Sequence, residues 1–401
     1  MDSVSDSRHV VIIGGGIIGC CIAYYITRHP SYDPDIHTVT LLEASQLAGG
    51  SSGKAGGLVA TWADPQCIAP LSHRLHTELS EEHDGGRRWG YRRVNCADVD
   101  AMGDAVGHVN TERDGSQFHP HATSAPKLTD LPPGLDWILP GSITSYTELG
   151  TPENTGQVHP YLFTTSIASL AEQRGVKIIL GSVKKINYSQ DGRKAESVTY
   201  MLKHTSEMHK LSATDIVIAT GPWTKYVYPA APIKESRNHS IVVRPAKPTS
   251  AYVLFPELQP KVPQKRIPPE IYSRPDGTIY SCGPSDEDVP LPETSDLVQV
   301  NQEACDTIYN DIRSISDEIR DGEVLIKQAC YRPIVQGRNR DIGPLVGPTG
   351  IQSLWLAAGH DSWGIQNGPA TGMVMSEMLF EGKVRSADVT SLDPRRVLNV
   401  P

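Results

Sequence analysis

Apolar residues at the start of the chain follow a strand pattern and then a helix pattern. A β-branched run, residues 10–13, ends at a glycine cluster that begins with Gly14, and an apolar segment then continues to Ile26. Val and Ile at this density predict a strand buried on both faces, with a helix after it. Alternation returns at residues 38–42 and ends at Glu43. These patterns together predict a strand–helix–strand unit of a parallel sheet.

Later segments divide into helical and extended patterns. Helices are predicted at 68–82, with Leu71, Leu75 and Leu79 on one face, and at 156–176, 304–315 and 368–382. Strands are predicted at 87–94, 177–188, 195–203, 215–221 and 353–360. Between 226 and 326, alternating runs and a Pro-Asp-Gly turn predict an antiparallel sheet. The polar stretch 101–133 is typical of a surface excursion.

The length of 401 residues exceeds one ordinary core, so two lobes are expected. Because α/β patterns stand at both ends of the chain, the first lobe is predicted to be discontinuous and to comprise residues 1–90, 155–225 and 327–401. The second, α+β lobe would comprise residues 91–154 and 226–326 and would contain the antiparallel sheet.

The glycine cluster fits the pattern G-x-G-x-x-G through Gly14, Gly16 and Gly19. In dinucleotide-binding folds these glycines permit a tight turn, close approach of the backbone to a pyrophosphate, and close packing of helix on strand. The following helix would direct its N–H groups at that pyrophosphate. Glu43, at the end of the second strand, could accept both hydroxyls of an adenosine ribose. The alternative is a glycine-rich turn between packed elements.

A small, polar segment follows Glu43 and contains the sequence SSGKAGG. It lies at the carboxyl edge of the second strand, where ligands bind in open α/β sheets. Ser51, Ser52 and Lys54 provide hydroxyls and a cation suited to phosphate, although a solvated linker would have a similar composition.

Charge and cysteine content exclude several classes of protein. A net charge of −9 argues against nucleic acid as a partner. Seven scattered cysteines, without metal-ligand spacing, predict neither a disulfide framework nor a metal site and favour a reducing compartment, the cytoplasm. The apolar segment 10–26 is short and opens on glycines, so neither a signal peptide nor a transmembrane segment is expected.

Six pieces, in order, resemble the D-amino-acid oxidase superfamily of FAD-dependent oxidoreductases. They are HVVIIGGGIIG, LLEAS, GQVHP, DIVIATGPWT, CYRPIVQGRNRDIGPLVG and AAGHDSWGIQNGPATG. The superfamily includes glycine oxidase, sarcosine oxidase and dimethylglycine dehydrogenase, and SSGKAGG with QNGPATG is similar to a fungal branch of it. The resemblance implies a Rossmann-like FAD-binding lobe of the glutathione-reductase type beside an α+β substrate lobe.

The resemblance also implies roles for single residues. Gly14, Gly16, Gly19 and Glu43, with Ile17, Ile18 and Ala44 beside them, would hold the ADP half of FAD. The pyrophosphate and the flavin side would contact Ser51, Ser52, Gly53, Lys54, Gly56 and Gly57. Val183 would clamp adenine, Gly221 and Trp223 would lie near the cofactor, and Gly359, His360, Gly364 and Ile365 would approach the flavin ring.

Two residues near the C-terminus are matched to substrate and cofactor chemistry. Arg332 aligns with the arginine that grips a substrate carboxylate in glycine oxidase, and with His360 it forms the predicted catalytic pair. The alternative is a structural arginine paired with an acid such as Asp341. Cys330 stands where sarcosine oxidases attach FAD covalently, but an inert buried thiol is the favoured interpretation.

The function that follows is an FAD-dependent oxidase of an amino acid or secondary amine, with dioxygen as acceptor. Alternatives are a flavin dehydrogenase with another acceptor and a flavin-bound scaffold in membrane traffic with little turnover. A nicotinamide enzyme would need a second glycine motif, which the chain lacks. Minor candidates for the substrate cavity are Trp62, Tyr91, Tyr272 and Arg274, and His159 is expected only to shape a turn.

Overall fold

The computed structural model describes residues 7–102, 131–139, 141–259, 269–337 and 343–398. Most of the predicted surface excursion at 101–133 lies outside these ranges. The helices are α1 Ile17–Ile26, α2 Ser51–Lys54, α3 Ala69–His83, α4 Gly85–Trp89, α5 Pro160–Glu172, α6 Thr224–Val227, α7 Gln302–Arg313, α8 Asp317–Arg320 and α9 Gly364–Glu381.

The strands of the described ranges belong to three sheets. They are β1 His9–Ile13, β2 Thr38–Glu43, β3 Leu58–Ala60, β4 Arg92–Arg93, β5 Asn95–Met102, β6 Ile143–Gly150, β7 Thr155–Gln157, β8 Lys177–Tyr188, β9 Ala195–Leu202, β10 Met208–Ser212, β11 Asp215–Ile218, β12 Ile233–Arg244, β13 Tyr252–Gln259, β14 Glu270–Ser273, β15 Ile279–Asp286, β16 Glu323–Val335, β17 Leu345–Pro348 and β18 Leu354–Ala358.

The sheet of the first lobe has the order β10–β9–β8–β2–β1–β11–β18–β17. Its central strands, β8, β2, β1, β11 and β18, run parallel. Helices α1, α3, α5 and α9 pack together in the apolar cluster that covers Val10 and Ile12 on one face, and a second apolar cluster covers Val11 and Ile13 on the other, so all four strand residues are buried. Parallel strands end at one edge of the sheet, so the turns after β1, β2, β11 and β18 lie together.

The sheet of the second lobe has the order β16–β12–β15–β14–β13–β5–β6. Its pairs are antiparallel except β13 with β5. Helix α7 covers one face through Cys305, Ile308 and Ile312, while Tyr272 and Tyr280 on the other face pack with Leu58 of the first lobe. A third, small sheet has the order β3–β7–β4. The predicted fold class, a Rossmann-like lobe beside an α+β lobe, is confirmed.

The predicted domain division places a boundary at residue 327, and that position falls inside β16. This strand pairs with β12 over most of its length within the seven-stranded sheet. Residues up to Val335 therefore belong structurally to the second sheet. The division of the chain into lobes at the other boundaries stays a prediction.

Two element predictions were wrong in part. Residues 87–94 form the end of α4 and the two-residue strand β4 instead of one strand, because Asp84 and Gly90 adopt left-handed conformations (φ 56° and 66°) at the two ends of that helix. The helix predicted from 156 begins at Pro160, since His159 is its N-cap and accepts a hydrogen bond from the Leu162 amide. Strands β8 and β9 form the predicted hairpin-like pair.

Candidate functional site

A cavity of about 600 Å³ opens at the carboxyl edge of the parallel strands. Its size falls in the range of small-molecule and cofactor sites. The cavity is lined by fourteen of the predicted site residues: Gly14, Gly16, Ile17, Ile18, Glu43, Ala44, Ser51, Ser52, Val183, Gly221, Trp223, Gly359, His360 and Gly364. The structure therefore brings together residues from both ends of the chain.

The turn between β1 and α1 has no room for side chains. Gly14 has φ +113°, and a Cβ on it would lie 2.4 Å from the Ala219 carbonyl oxygen. A Cβ on Gly19 would lie 2.0 Å from the Gly14 carbonyl oxygen, so this glycine lets α1 pack against the turn. A Cβ on Gly16 would approach Ser52 Oγ to 2.9 Å. The turn is thus tightly packed against its neighbours, and Gly14 and Gly16 border the cavity with backbone alone.

Glu43 and Ser52 support this turn from two sides. The Glu43 carboxylate accepts hydrogen bonds from the Gly15 amide (to Oε2, 2.8 Å) and, at Oε1, from the Ser45 amide (2.8 Å) and the Ser45 hydroxyl (3.1 Å). Ser52 Oγ accepts from the Ile17 amide (3.0 Å) at the start of α1. Two carboxylate oxygens have about four acceptor positions, so Glu43 Oε2 retains about one position for a ligand in the cavity.

A segment that sequence reasoning did not assign to the site closes one side of the cavity. Residues 289–295 (VPLPETS, here the proline strap) contribute five of the lining residues, from Leu291 to Ser295. Trp223 Nε1 donates to the Pro292 carbonyl (2.7 Å), Tyr226 Oη to that of Leu291 (2.8 Å), and Tyr331 Oη to that of Val289 (2.8 Å). The donors are far from the strap in sequence, and no local signal indicates the contact.

The loop before α9 forms another wall. Gly359 has φ +84°, and a Cβ there would lie 2.4 Å from Val335 Cγ2. His360 is buried with its Nε2 3.0 Å from Thr371 Oγ1. Burial lowers the pKa of His360 to about 3, so the imidazole is neutral near pH 7. The N-terminus of α9 then begins at Gly364, beside the cavity.

Arg332 lies on β16 and connects the two lobes. Its Nε donates to Asn238 Oδ1 (2.8 Å), and its Nη1 donates to Ser362 Oγ (2.6 Å) and lies 3.0 Å from Asp361 Oδ1. Within the described ranges Nη2 has no hydrogen-bond partner. The acid that pairs with Arg332 is thus Asp361, and Asp341 lies outside the described residues.

Cys330 and Lys54, like Arg332, are not among the residues that line the cavity. Cys330 is 8% exposed, and burial raises the pKa of its thiol to about 11, against the opposing charges of Lys54 and Arg332. Lys54 Nζ donates to the Ala329 carbonyl (2.9 Å). Lys54 thus extends toward the second sheet.

The remaining predicted residues also lie outside the lining of the cavity. Gly53 and Gly57 are packed against backbone, with a Cβ on either one falling within 2.2 Å of a carbonyl oxygen. A Cβ on Gly56 would lie 2.4 Å from Cζ of the Tyr272 ring. Ile365 is part of the apolar cluster around α1. Arg274 is buried and donates through Nη2 to the Ala55 carbonyl (2.8 Å).

The minor candidates contact their neighbours in several ways. Tyr272 donates to Glu270 Oε2 (2.6 Å), and Trp62 packs edge-on against Trp363. Tyr91 Oη lies 2.8 Å from Thr77 Oγ1. His159 caps α5 as described above, which agrees with its predicted role in shaping the local turn.

A family model described as DAO, FAD dependent oxidoreductase, matches residues 9–378. The chain belongs to the DAO family of FAD-dependent oxidoreductases. The predicted recognition is confirmed, and so is the prediction of an enzyme, an FAD-dependent oxidoreductase.

Relatives in sequence span the whole chain. It is 33% identical to "Putative oxidoreductase TDA3" of Saccharomyces cerevisiae, with 97% of this chain and 94% of that protein covered. It is 34% identical to "Putative oxidoreductase C1F5.03c" of Schizosaccharomyces pombe, with 98% and 99% covered. A mitochondrial dimethylglycine dehydrogenase of Rattus norvegicus is 25% identical, with 98% of this chain and 45% of that protein covered.

Solved structures share the fold. Glycine oxidase from Bacillus cereus superposes with a TM-score of 0.69 at 18% identity, with 98% of this chain and 99% of that chain covered. Iminodiacetate oxidase from Chelativorans sp. BNC1 superposes with a TM-score of 0.71 at 16% identity, with 96% and 98% covered.

The cavity of this DAO-family chain fits FAD. Gly14 and Gly16 border the cavity without side chains, so a pyrophosphate could approach their backbone. The first turn of α1 has backbone N–H groups that could donate to it, and Glu43 has a carboxylate oxygen that could accept from a ribose hydroxyl. Within the described part of the chain, no helix is both long and apolar enough to cross a bilayer. Among those same residues, His, Cys, Asp and Glu form no group arranged to hold a metal ion.

Proposed function

We propose that this protein is an FAD-dependent oxidase of an amino acid or secondary amine. Bound FAD would supply the redox chemistry: the amine would give up its Cα hydrogen with the electron pair and an N–H proton and become an imine, and dioxygen would take up the two electrons and two protons as hydrogen peroxide. The amine and amino acid oxidases among the structural neighbours support this class of substrate.

The residues of the cavity would hold FAD in an extended form. The amides at the start of α1, with Gly14 and Gly16 below them and Ser52 beside them, would bind the pyrophosphate. Glu43 would accept the ribose hydroxyls, and Val183 would contact adenine. The N-terminus of α9 would face the flavin ring, where its dipole stabilises negative charge. Neutral His360 would help to position that loop.

A carboxylated substrate is supported by the partly exposed guanidinium of Arg332, which has a free N–H group. It is 28% exposed, held by Asn238 and Ser362, and its Nη2 is free of protein partners within the described residues. The free Nη2 can donate to a carboxylate, and the second parallel hydrogen bond of a bidentate pair would come from Nη1 once the carboxylate displaces Asp361. Arg332 would thereby fix the substrate's Cα–H relative to the flavin, since position and electrostatics are what the protein contributes.

The test is spectroscopic. Purified protein should be yellow with bound FAD, and anaerobic addition of the correct amine should bleach the flavin. A panel of amino acids, N-methyl amino acids and their decarboxylated analogues identifies the substrate class. Admission of air should then restore the colour with one hydrogen peroxide per turnover. Protein that cannot take up FAD excludes the proposal, and flavin that no amine bleaches favours the scaffold alternative.

A flavin dehydrogenase is the second candidate, because a dimethylglycine dehydrogenase is among the sequence relatives. The same amines would bleach the flavin of such an enzyme, but the reduced flavin would pass its electrons to an artificial acceptor much faster than to dioxygen. The ratio of the two reoxidation rates separates the alternatives.

The cytoplasm is the compartment we propose, because all seven cysteines are free thiols. Fluorescence microscopy of the tagged full-length chain tests this assignment. A signal confined to an oxidising compartment would contradict it.

A further inference from the structure

The proline strap closes one side of the cavity without belonging to a regular element. Residues 289–294 lie in no helix or strand, and Pro290 and Pro292 have no N–H group to donate. Among the described residues, the one hydrogen bond between the strap backbone and another backbone group joins the Thr294 carbonyl to the Leu297 amide (3.2 Å). A segment bound so weakly through its backbone can open without unfolding the sheets beside it.

Side chains from outside the strap hold the four successive carbonyl groups of residues 289–292. Tyr331 Oη donates to the first two (2.8 and 3.2 Å), Tyr226 Oη to the third (2.8 Å) and Trp223 Nε1 to the fourth (2.7 Å). Water can take the place of each donor when the strap moves away, so the net contribution of each bond is small. The closed position is thus stabilised by a few separable contacts.

The far end of the strap is held by a pair of buried hydroxyl groups. Ser295 Oγ lies 2.6 Å from Ser45 Oγ, and a Cβ on Gly49 would lie 2.6 Å from Ser295 Oγ. Ser45 and Gly49 follow β2, whereas Trp223 and Tyr226 follow β11. The strap therefore bridges two loops that border the cavity, although in sequence it connects β15 to α7.

Two other irregular walls of the cavity are fixed by backbone hydrogen bonds. In the loop after β2 the Ala48 amide donates to the Gly15 carbonyl (3.0 Å), and in the loop before α9 the Trp363 amide donates to the His360 carbonyl (2.9 Å). Movement of either loop would break these bonds. Of the three walls, the strap is the one that, within the described residues, can leave the cavity by breaking side-chain contacts alone.

We propose that the proline strap is a clasp for FAD, which opens to admit the cofactor and closes to retain it. Its contacts all join protein groups to one another, so they hold the strap closed before and after FAD binds. Opening of the strap therefore limits both the uptake and the release of FAD. The inference requires that the cavity binds FAD, and it does not depend on the substrate that the flavin oxidises.

The decisive variant is Tyr331→Phe, because it removes two hydrogen bonds to the strap and Tyr331 does not line the cavity. Uptake is measured from the fluorescence of FAD mixed with apoprotein, and release from the exchange of bound FAD for excess 5-deaza-FAD. Loss of these hydrogen bonds destabilises the closed strap, so both rate constants should rise by about 2- to 12-fold. The dissociation constant of FAD should stay nearly unchanged, because it is the ratio of the two rate constants.

Tyr309→Phe is the matched control for this variant. Tyr309 Oη also donates to two backbone carbonyls, those of Ile319 and Arg320 (3.3 and 3.2 Å), but these belong to α8 and not to the strap. The control should take up and release FAD at the wild-type rates. A change in the control equal to that in Tyr331→Phe would trace the effect to a general loss of stability and would overturn the clasp.

A reversible lock tests the same inference without weakening the strap. Ser45→Cys combined with Ser295→Cys brings two thiols to positions whose hydroxyl oxygens lie 2.6 Å apart, within reach of a disulfide. Diamide takes two electrons and two protons from the thiol pair and so forms the S–S bond, which mass spectrometry detects and dithiothreitol reverses. The locked protein should lose FAD exchange and recover it on reduction, whereas diamide-treated Ser45→Cys should exchange FAD throughout.

The results separate the clasp from the proposed function. Unchanged uptake and release in Tyr331→Phe, or exchange at the same rate before and after locking, overturns the clasp. Faster release with unchanged uptake also overturns it, because the strap would then only contact bound FAD. Flavin that exchanges as expected but that no amine reduces contradicts the proposed oxidase and leaves the clasp intact.

Discussion

Arg332 and Asp361 form an ion pair across the cleft between the two lobes, with Nη1 3.0 Å from Oδ1. Arg332 comes from the edge strand of the second sheet, and Asp361 comes from the loop before α9, with φ +45°. A substrate carboxylate on Arg332 would compete with Asp361 for the same guanidinium or share it through the free Nη2. The internal acid is therefore expected to weaken binding of carboxylated ligands.

Asp361→Asn should strengthen carboxylate binding. Both partners are partly exposed, 28% and 48%, and such pairs contribute about 0.2–1 kcal/mol, so the gain in acetate affinity should reach up to about fivefold. Titration of the flavin absorbance with acetate measures it. Asp84→Asn, which removes the exposed partner of Arg87, is the control and should have no effect. Weaker acetate binding in Asp361→Asn would show that the acid positions Arg332 instead of competing for it.

Arg332→Met should reduce the preference of the enzyme for a carboxylated substrate over its decarboxylated analogue. Loss of a hydrogen bond to a charged group costs about 1.5–3 kcal/mol, which corresponds to a loss of about 10- to 150-fold in kcat/KM for the carboxylated substrate. Its decarboxylated analogue should react at a nearly unchanged rate. Arg244→Met, which removes an exposed ion pair with Glu323 on the same sheet, controls for general destabilisation. Equal losses for both analogues would exclude the anchoring role.

Gly19→Ala should abolish stable FAD binding. The added Cβ would lie 2.0 Å from the Gly14 carbonyl oxygen, so α1 must shift away from the turn that borders the cavity. Overpacking of this kind costs about 1–3 kcal/mol, so FAD affinity should fall by about 5- to 150-fold and FAD should be lost during gel filtration. Gly86→Ala is the control, because its Cβ would meet only the Tyr91 carbonyl oxygen at 3.7 Å. Full FAD content in Gly19→Ala would contradict the assignment of the turn.

The first lobe was predictable because its signals are local. The buried run before Gly14, the glycine spacing and the alternation up to Glu43 each lie within a few residues, and the parallel pair β1–β2 follows from them. The pair β8–β9 follows in the same way from two neighbouring extended runs, 177–188 and 195–203. The other parallel neighbour of β1 is β11, which begins at Asp215, and only the family resemblance pointed to that distant segment.

The walls of the site were less predictable because the contacts that make them are non-local. The proline strap is held by Trp223 and Tyr226, which precede it by 65–69 residues, and by Tyr331, which follows it by about 42. Its prolines indicate only an irregular segment. The ion pair of Arg332 with Asp361 is also non-local, because the two residues are 29 positions apart in sequence and the loop before α9 supplies the acid.

FAD should be released by acid precipitation, and Cys330→Ser should bind as much FAD as wild type. Covalent attachment needs a thiolate, but burial raises the pKa of this thiol to about 11, so the thiolate is scarce at neutral pH. Absorbance of the supernatant and the pellet measures the outcome. Cys282→Ser, a second thiol on the same sheet, serves as the control. The covalent bond would be established if the yellow colour stayed in the pellet of the wild-type protein but moved to the supernatant of Cys330→Ser.

The folded chain should lose stability in mild acid, partly through His76. Burial lowers the pKa of His76 to about 4 from 6.5, and its Nε2 lies 3.0 Å from the Ile365 carbonyl at the start of α9. The unfolded chain therefore binds this proton first, and the free energy of unfolding should fall as pH drops from 6.5 towards 4, by about 1.4 kcal/mol per pH unit from this group. His360 adds a loss of the same sign that extends to lower pH.

His76→Gln isolates this contribution, because glutamine can donate to the Ile365 carbonyl but does not titrate. Urea unfolding at pH 7 and pH 5 should show a smaller difference in this variant than in wild type, by about 2 kcal/mol. Exposed His204 offers the matched substitution His204→Gln, which should leave the wild-type difference unchanged. An identical pH dependence in His76→Gln and wild type would mean that His76 gains a proton without unfolding and that the start of α9 opens to solvent in acid.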